Sequence, residues 1–435
     1  MMTDNDKTSA FNTALCDFLD ASPTPFHAVL MMTSRLESEG FKGLDERDSW
    51  RDLSPGRYFV TRNASSIIVF TLPENDLAKN GFQMMGTHTD SPCLKVKPNP
   101  EKVAQGLFQL GVEVYGGALL NPWFDRDLSM AGRVSYLDKE QTLQHALVDF
   151  KKAVATIPSL AIHLDREANK NRTVNAQQHL PPILMHGVED ADVDFRDLLQ
   201  QQLLIQTPEL DISAVLDYEI SLYDTQGAAI TGLDGDFISS ARLDNLLSCF
   251  VGLEAIVNSS VEQANVLVCS DHEEVGSQSS SGAQGPFLES VLLRLCDDVE
   301  HYHRTVQQSL MISVDNAHAI HPNFADKHDA EHGPKLNQGP VIKTNANQRY
   351  ATNSETSALF RQLCSQVNVP VQDFVVRSDM SCGSTIGPVT AGGLGVRALD
   401  VGLPSYAMHS IRELAGSQDG YQLSRVMTQF YNHSI

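Results

Sequence analysis

Hydrophobic and polar positions change their spacing three times along the chain. Over residues 7–20, Ala10, Phe11, Ala14, Leu15, Phe18 and Leu19 recur at the three-four spacing of one helix face, and Ser22-Pro23-Thr24-Pro25 stops that helix. A second helix is predicted over 26–39, ended by Gly40. Short strand-like runs follow at 58–60, 66–70 and 82–85. Between about 100 and 234, the runs 111–115, 133–137 and 160–164 alternate as half-buried strands do, with glycine pairs and prolines between them. The polar stretch 165–182 is predicted to be a long loop. From about 235 onward, apolar strands (266–269, 310–314) alternate with helical stretches. One of these helices is predicted over 287–307, with Leu288, Val291, Leu292 and Leu295 on one face. The first and last regions together read as one discontinuous α/β domain, 1–99 plus 235–435, interrupted by a β-rich insert at 100–234.

Composition narrows the function. The chain has 435 residues, 42% of them hydrophobic, so a sizeable core is available and general disorder is excluded. Its 54 acidic against 32 basic residues give a formal charge of -22. That balance argues against a nucleic-acid partner, which needs a basic footprint, and against an anionic membrane surface. No apolar run is long enough to span a bilayer. Seven scattered cysteines without a C-x-x-C pair point to a reducing, cytoplasmic compartment.

The candidate chemistry sits where apolar runs end. Residues 82–87 lead into His88-Thr89-Asp90, and 266–270 into Asp271-His272-Glu273-Glu274. Residues 310–314 lead into Asp315-Asn316-Ala317-His318, and 405–408 into His409. Arg242-Leu243-Asp244-Asn245 heads a helical stretch. In open α/β sheets, residues just past the carboxyl ends of strands converge on one cleft. Histidine, aspartate and glutamate there are ligand types for zinc. Adjacent Glu273 and Glu274 can divide the work, one as ligand and one as free base.

These residues resemble a known family. Gly86-Thr87-His88-Thr89-Asp90-Ser91-Pro92, Arg242-Leu243-Asp244-Asn245, Asp271-His272-Glu273-Glu274-Val275-Gly276-Ser277, Ser313-Val314-Asp315-Asn316-Ala317-His318 and Ala407-Met408-His409-Ser410 look like blocks of the M18 metallopeptidases, the aspartyl aminopeptidase family. Ser22-Pro23-Thr24-Pro25-Phe26-His27 and the 343–350 block match further, so the likeness runs the whole chain in order. The resemblance implies a mixed-sheet α/β peptidase domain with two zinc ions per chain, cobalt or manganese being possible substitutes. His88, Asp244, Glu274, Asp315 and His409 would be the ligands, with Asp244 bridging. Glu273 would be the general base, and Asp90 would hold the His88 imidazole. His163 would reach a neighbouring subunit's site, and Lys343 would lie near the substrate side chain. The insert would be a dimerisation domain within a tetrahedral dodecamer. The implied reaction removes the N-terminal residue of a peptide, with preference for Asp or Glu.

Rival readings are weaker on the residues. No Gly-x-Ser-x-Gly elbow occurs, and His272-Glu273-Glu274-Val275-Gly276 lacks the second histidine of a zincin helix. Gly393-Leu394-Gly395-Val396-Arg397-Ala398 has dinucleotide-like spacing but reads as loop and strand. A non-catalytic scaffold would have lost ligands or base, and none is missing. Broad or neutral specificity competes with acidic preference, because an acidic side chain needs a cation in its pocket. Lys343, Arg349, Arg377 and His163 are candidates, and Ser378-Asp379-Met380-Ser381 could line that pocket.

Overall fold

A computed structural model describes residues 3–187 and 193–433. The chain divides into two compact units. One holds the residues up to Asp90, Ala228–Met408 and the residues from Glu413; the other holds Ser91–Gly227 and His409–Arg412.

The first unit is built on a mixed sheet of nine strands among the described residues. At its centre Ala264–Ser270, Phe82–His88, Leu310–Val314 and Arg397–Gly402 lie side by side and parallel. These strands are buried along almost their whole length, because both sheet faces are covered. Such strands read as continuous apolar runs rather than as alternation. Successive side chains nevertheless part company. Met85, Leu267, Ile312 and Leu399 join the core formed with the helices Asp4–Asp20, Leu243–Val257 and Asp419–Asn432. Met84, Val266, Met311 and Ala398 join Phe287, Val291, Tyr302 and Val306 on the other face. Helix Leu243–Val257 lies so close to the sheet that a Cβ on Gly252 would sit 2.5 Å from Leu267 Cδ1. A five-stranded sheet in the same unit pairs Phe237–Ser240 with Glu413–Gly416.

Among the described residues the second unit carries a six-stranded antiparallel sheet, in the order Leu143–Asp149, Leu128–Leu137, Ala214–Asp224, Cys93–Ala104, Leu107–Tyr115, Ile183–His186. Helix Phe195–Gln206 covers one face through Phe195, Leu199 and Leu203.

The predicted helices over 7–20 and 26–39 appear as Asp4–Asp20 and Pro25–Ser38, capped by Thr3 and Thr24. Four expectations are corrected. The helix over 287–307 is two, Phe287–Arg294 and Val299–Gln308, because Asp298 turns extended and its side chain accepts the His301 N–H; an aspartate there caps a new helix better than it continues an old one. The strand over 160–164 is an exposed turn, since no strand of the described chain pairs with it. The long loop over 165–182 contains two single-turn helices, Ala168–Asn171 and Ala176–His179. The dinucleotide-like stretch 393–398, expected as loop and strand, starts instead in the last two residues of the helix Ile386–Leu394; Gly395 ends that helix in a left-handed cap, and the strand Arg397–Gly402 follows. No disulfide joins the cysteines among the described residues. Among the described residues no helix is long and apolar enough to cross a membrane.

Candidate metal centre

Three adjacent parallel strands deliver the chemistry at their carboxyl ends. His88 is the last residue of Phe82–His88 and lies in register with Ser270, which the Asp271–Glu274 turn follows directly. Leu310–Val314 ends one residue before Asp315. Asp244 comes from the start of the helix Leu243–Val257, which packs beneath the same ends. Asn245 ties these pieces together: its side-chain N–H donates to Thr87 Oγ1 at 3.0 Å and to the Val314 carbonyl at 2.9 Å. The Cys249 thiol donates to the His88 carbonyl at 3.0 Å.

His88, Asp244 and Glu274 each offer a ligand atom within 4.8 Å of the others. His88 Nε2 lies 3.5 Å from Asp244 Oδ1, 3.6 Å from Asp315 Oδ1 and 3.9 Å from Glu273 Oε2. Nδ1 of the same ring sits 3.0 Å from the Asp90 carbonyl and 3.4 Å from its carboxylate. The stronger contacts of the Asp90 carboxylate are elsewhere. It accepts the backbone N–H groups of Glu273 at 3.0 Å and Glu274 at 3.1 Å, one on each oxygen. Asp90 thus straps the turn that carries both glutamates. That turn begins at His272 in the left-handed region, φ 65°, a conformation a non-glycine residue adopts only at a cost.

Charge is concentrated here. Burial, with Asp244 beside it, pushes the Glu274 carboxyl up to about 10. Burial also raises Glu273, to about 7, with Asp315, Asp244 and Asp90 adding to the effect against the opposing pull of His88. Burial alone would drive the His88 imidazole down, but Asp244, Asp315 and Asp90 together hold it well above the ordinary histidine range. Asp315 goes the other way. Its burial is outweighed by Lys343 and His88, which hold it far below the usual carboxylate range. Lys343 Nζ donates to Asp315 Oδ2 at 3.2 Å and to the Asn316 carbonyl at 2.9 Å.

The residues fit a divalent cation. Histidine and carboxylates form the donor set, His88 and Asp244 are buried and Glu274 half-buried, and carboxylates packed this closely repel one another until a positive charge joins them. Lys343 compensates only Asp315 by direct contact.

His409 belongs to the second unit, where its Nδ1 lies 3.2 Å from the Gly117 carbonyl. His163 also belongs to that unit and stands exposed between the exposed Leu160, Ile162 and Leu164. A cavity of about 290 Å³ opens among His318, His321, Lys327, His328, Tyr350 and Met380. Its wall reaches the cluster through Tyr350, whose ring lies 5.3 Å from Lys343 Nζ. Arg377 also borders the cavity, but its guanidinium is engaged by Asp379 at 2.9 and 2.6 Å. Arg349 is turned to the Cys382 carbonyl. Asn245 and the histidines of this cavity were not singled out as site residues from the sequence. Asn245 could have been found from its place beside Asp244; the cavity has no local signal.

A histidine–carboxylate group with the donors for a metal ion stands at the ends of parallel strands, and comparisons with known proteins give the family of the chain. Residues 18–431 match the family model described as aminopeptidase I zinc metalloprotease (M18). A probable M18 family aminopeptidase 2 of Ectopseudomonas mendocina is 60% identical over 418 residues, 96% of this chain and 97% of the relative. One of Pseudomonas putida is 61% identical over 422 residues, 97% and 98% of the two chains. Among solved structures, the chain described as the Ape4 and Nbr1 complex superposes with TM-score 0.93 at 38% identity, over 98% of this chain and 86% of that one. The S. cerevisiae mApe1 dodecamer superposes with TM-score 0.84 at 28% identity, over 98% and 97%. The chain belongs to the M18 aminopeptidase family and is a hydrolase of the exopeptidase type.

Proposed function

We propose that this aminopeptidase works through a dinuclear zinc site and prefers peptides that begin with Asp or Glu. The observation that carries the reading is the buried His88–Asp244–Glu274 group, with Asp315 and Glu273 turned onto the same imidazole. In this reading His88, Asp244, Glu274, Asp315 and His409 would hold the metal; the part given to His409 rests on its sequence motif. Zinc, when bound, supplies Lewis acidity toward the scissile carbonyl and makes water easier to deprotonate, and cobalt or manganese suits the same donors. Glu273 takes the proton of the attacking water and returns it to the leaving amine. Glu273 is placed for both transfers, next to Glu274 in the chain and with Oε2 3.9 Å from His88 Nε2. Asp90 keeps Glu273 aimed by holding its backbone N–H.

The cavity at His318, His321, Lys327 and His328 is the proposed seat of the substrate's first side chain. Lys327 there supports acidic preference, while burial holds the His318 and His328 imidazoles below the ordinary histidine range, where they serve as neutral hydrogen-bonding groups. One observation favours the broader reading: Lys343 and Arg377, two of the cations expected to read an acidic side chain, already face Asp315 and Asp379. The first unit is the proposed catalytic domain and the second the proposed dimerisation domain. Exposed Leu160, Ile162 and Leu164 suit a surface covered by another copy, with His163 presented to that copy's site. A dodecamer, the state named for the yeast relative, is the proposed assembly. Cysteines outside any disulfide suit a cytoplasmic setting.

The test is hydrolysis of an aspartyl-anilide beside a leucyl-anilide, before chelation, after it, and after zinc is restored. Aspartyl cleavage lost and recovered with metal supports the whole reading. Metal-dependent leucyl cleavage alone overturns the acidic preference. Cleavage that survives chelation overturns the metal mechanism.

A further inference from the structure

We infer that Glu413 is a positioning residue of the metal centre: its carboxylate fixes the backbone that carries Asp244. The inference rests on the reading of Asp244 as a metal ligand. Glu413 opens the strand Glu413–Gly416 and lies in register opposite Ser240, the last residue of Phe237–Ser240. The chain then turns through Arg242, in the left-handed region at φ 60°, into the helix Leu243–Val257. This helix start is poorly provided for locally. Arg242, at the cap position, makes no side-chain capping bond, and Asp244 (φ −85°, ψ 103°) is not helical. A buried backbone N–H outside the regular helix ladder needs an acceptor from elsewhere in the fold. Glu413 is that partner, its Oε2 accepting the Asp244 N–H at 2.9 Å with the residue only 3% exposed.

The bond does more than cap. Asp244 presents Oδ1 to His88 Nε2 at 3.5 Å, so the peptide plane held by Glu413 sets where that oxygen points. A hydrogen bond from a neutral N–H to a buried carboxylate is short and strong, and removing the acceptor leaves a buried donor unmet. A ligand held by a single rotatable side chain is only as well placed as its backbone; a working site tolerates an error of about 0.5 Å. The partners are 169 residues apart in sequence, and no local pattern joins them.

The variants Glu413→Ala, Glu413→Asp and Glu413→Gln separate reach from charge. Zinc affinity is read without substrate, by competition with a chromogenic chelator. Geometry is read from the absorption spectrum of the cobalt(II)-loaded protein, and thermal unfolding of the metal-free protein serves as the folding control. Loss of a group that orients a ligand weakens metal binding by about 10–100-fold, and that fall is expected for Glu413→Ala with metal-free unfolding little changed. Glu413→Gln keeps an oxygen at the same reach and is expected to recover most of the affinity and the wild-type spectrum. Glu413→Asp keeps the charge, loses the reach and is expected to stay weak. Unchanged zinc affinity in Glu413→Ala overturns the inference. Should that variant not fold, the order of the other two decides: Asp binding more tightly than Gln would mean charge alone matters and would overturn positioning. A wild-type chain that takes up no zinc removes the metal reading itself, whereas wild-type binding with indifferent variants removes only the role of Glu413.

Discussion

Two apolar runs that carry a histidine, 82–88 and 160–164, look alike on paper and end in opposite situations. The first is a strand buried at every position, flanked by parallel strands on both sides, and its histidine enters a crowd of carboxylates. The second is an exposed turn in which Leu160, Ile162 and Leu164 face solvent around His163. Both runs have β-like patterning. The difference is the supply of partners: the first finds backbone and side-chain neighbours within its own unit, and the second finds none among the described strands. Patterning therefore tells which residues seek burial, and the rest of the chain decides whether they obtain it here or must obtain it from another copy.

That contrast can be broken most forcefully at the chemistry of the first region. Glu273→Gln is expected to lower kcat about 10²–10⁴-fold, the usual share of a general acid–base, while metal content stays at the wild-type level by elemental analysis. Near-normal turnover in that variant would remove Glu273 as base. At the packing beneath, Leu267→Ala is expected to cost about 2–5 kcal/mol in denaturant unfolding, because Leu267 is fully buried between the sheet and the helix that carries Asp244. Asp90→Asn is expected to weaken zinc binding by about 10–100-fold and to speed hydrogen exchange at the Glu273 and Glu274 amides, since an amide side chain cannot accept both N–H groups. Unaltered exchange would leave Asp90 only its contact with His88. The smallest effect belongs to the second region. Leu164→Ser is expected to shift single-chain stability by less than about 0.5 kcal/mol, and in the proposed assembly to lower the particle mass seen by light scattering. A large loss of stability with no change in mass would mean that this segment packs within its own chain.

The buried strands of the first unit, the ligand-type residues at their ends and Asp244 were legible in the sequence because each signal is local. An apolar run ending in His88-Thr89-Asp90 announces a buried strand with a polar tip, and Glu273-Glu274 does the same at the neighbouring strand. What escaped was either competitive or distant. Asp298 breaks the helix expected over 287–307 because its side chain captures the His301 N–H, a local choice that the apolar face of that stretch concealed. The double grip of Asp90 on the glutamate turn depends on how two strands 183 residues apart meet. The bond from Asp244 to Glu413 spans nearly as far. The cavity walled by His318 and Met380 exists only once separate loops are folded against each other.

The most direct test of the account is the metal content of the wild-type protein and of Asp244→Ala, measured on the same preparation as aminopeptidase turnover. The account predicts two zinc ions per wild-type chain, with metal and turnover lost together in the variant while the far-ultraviolet circular dichroism is unchanged. An Asp244→Ala protein that keeps both metals and full turnover would contradict it.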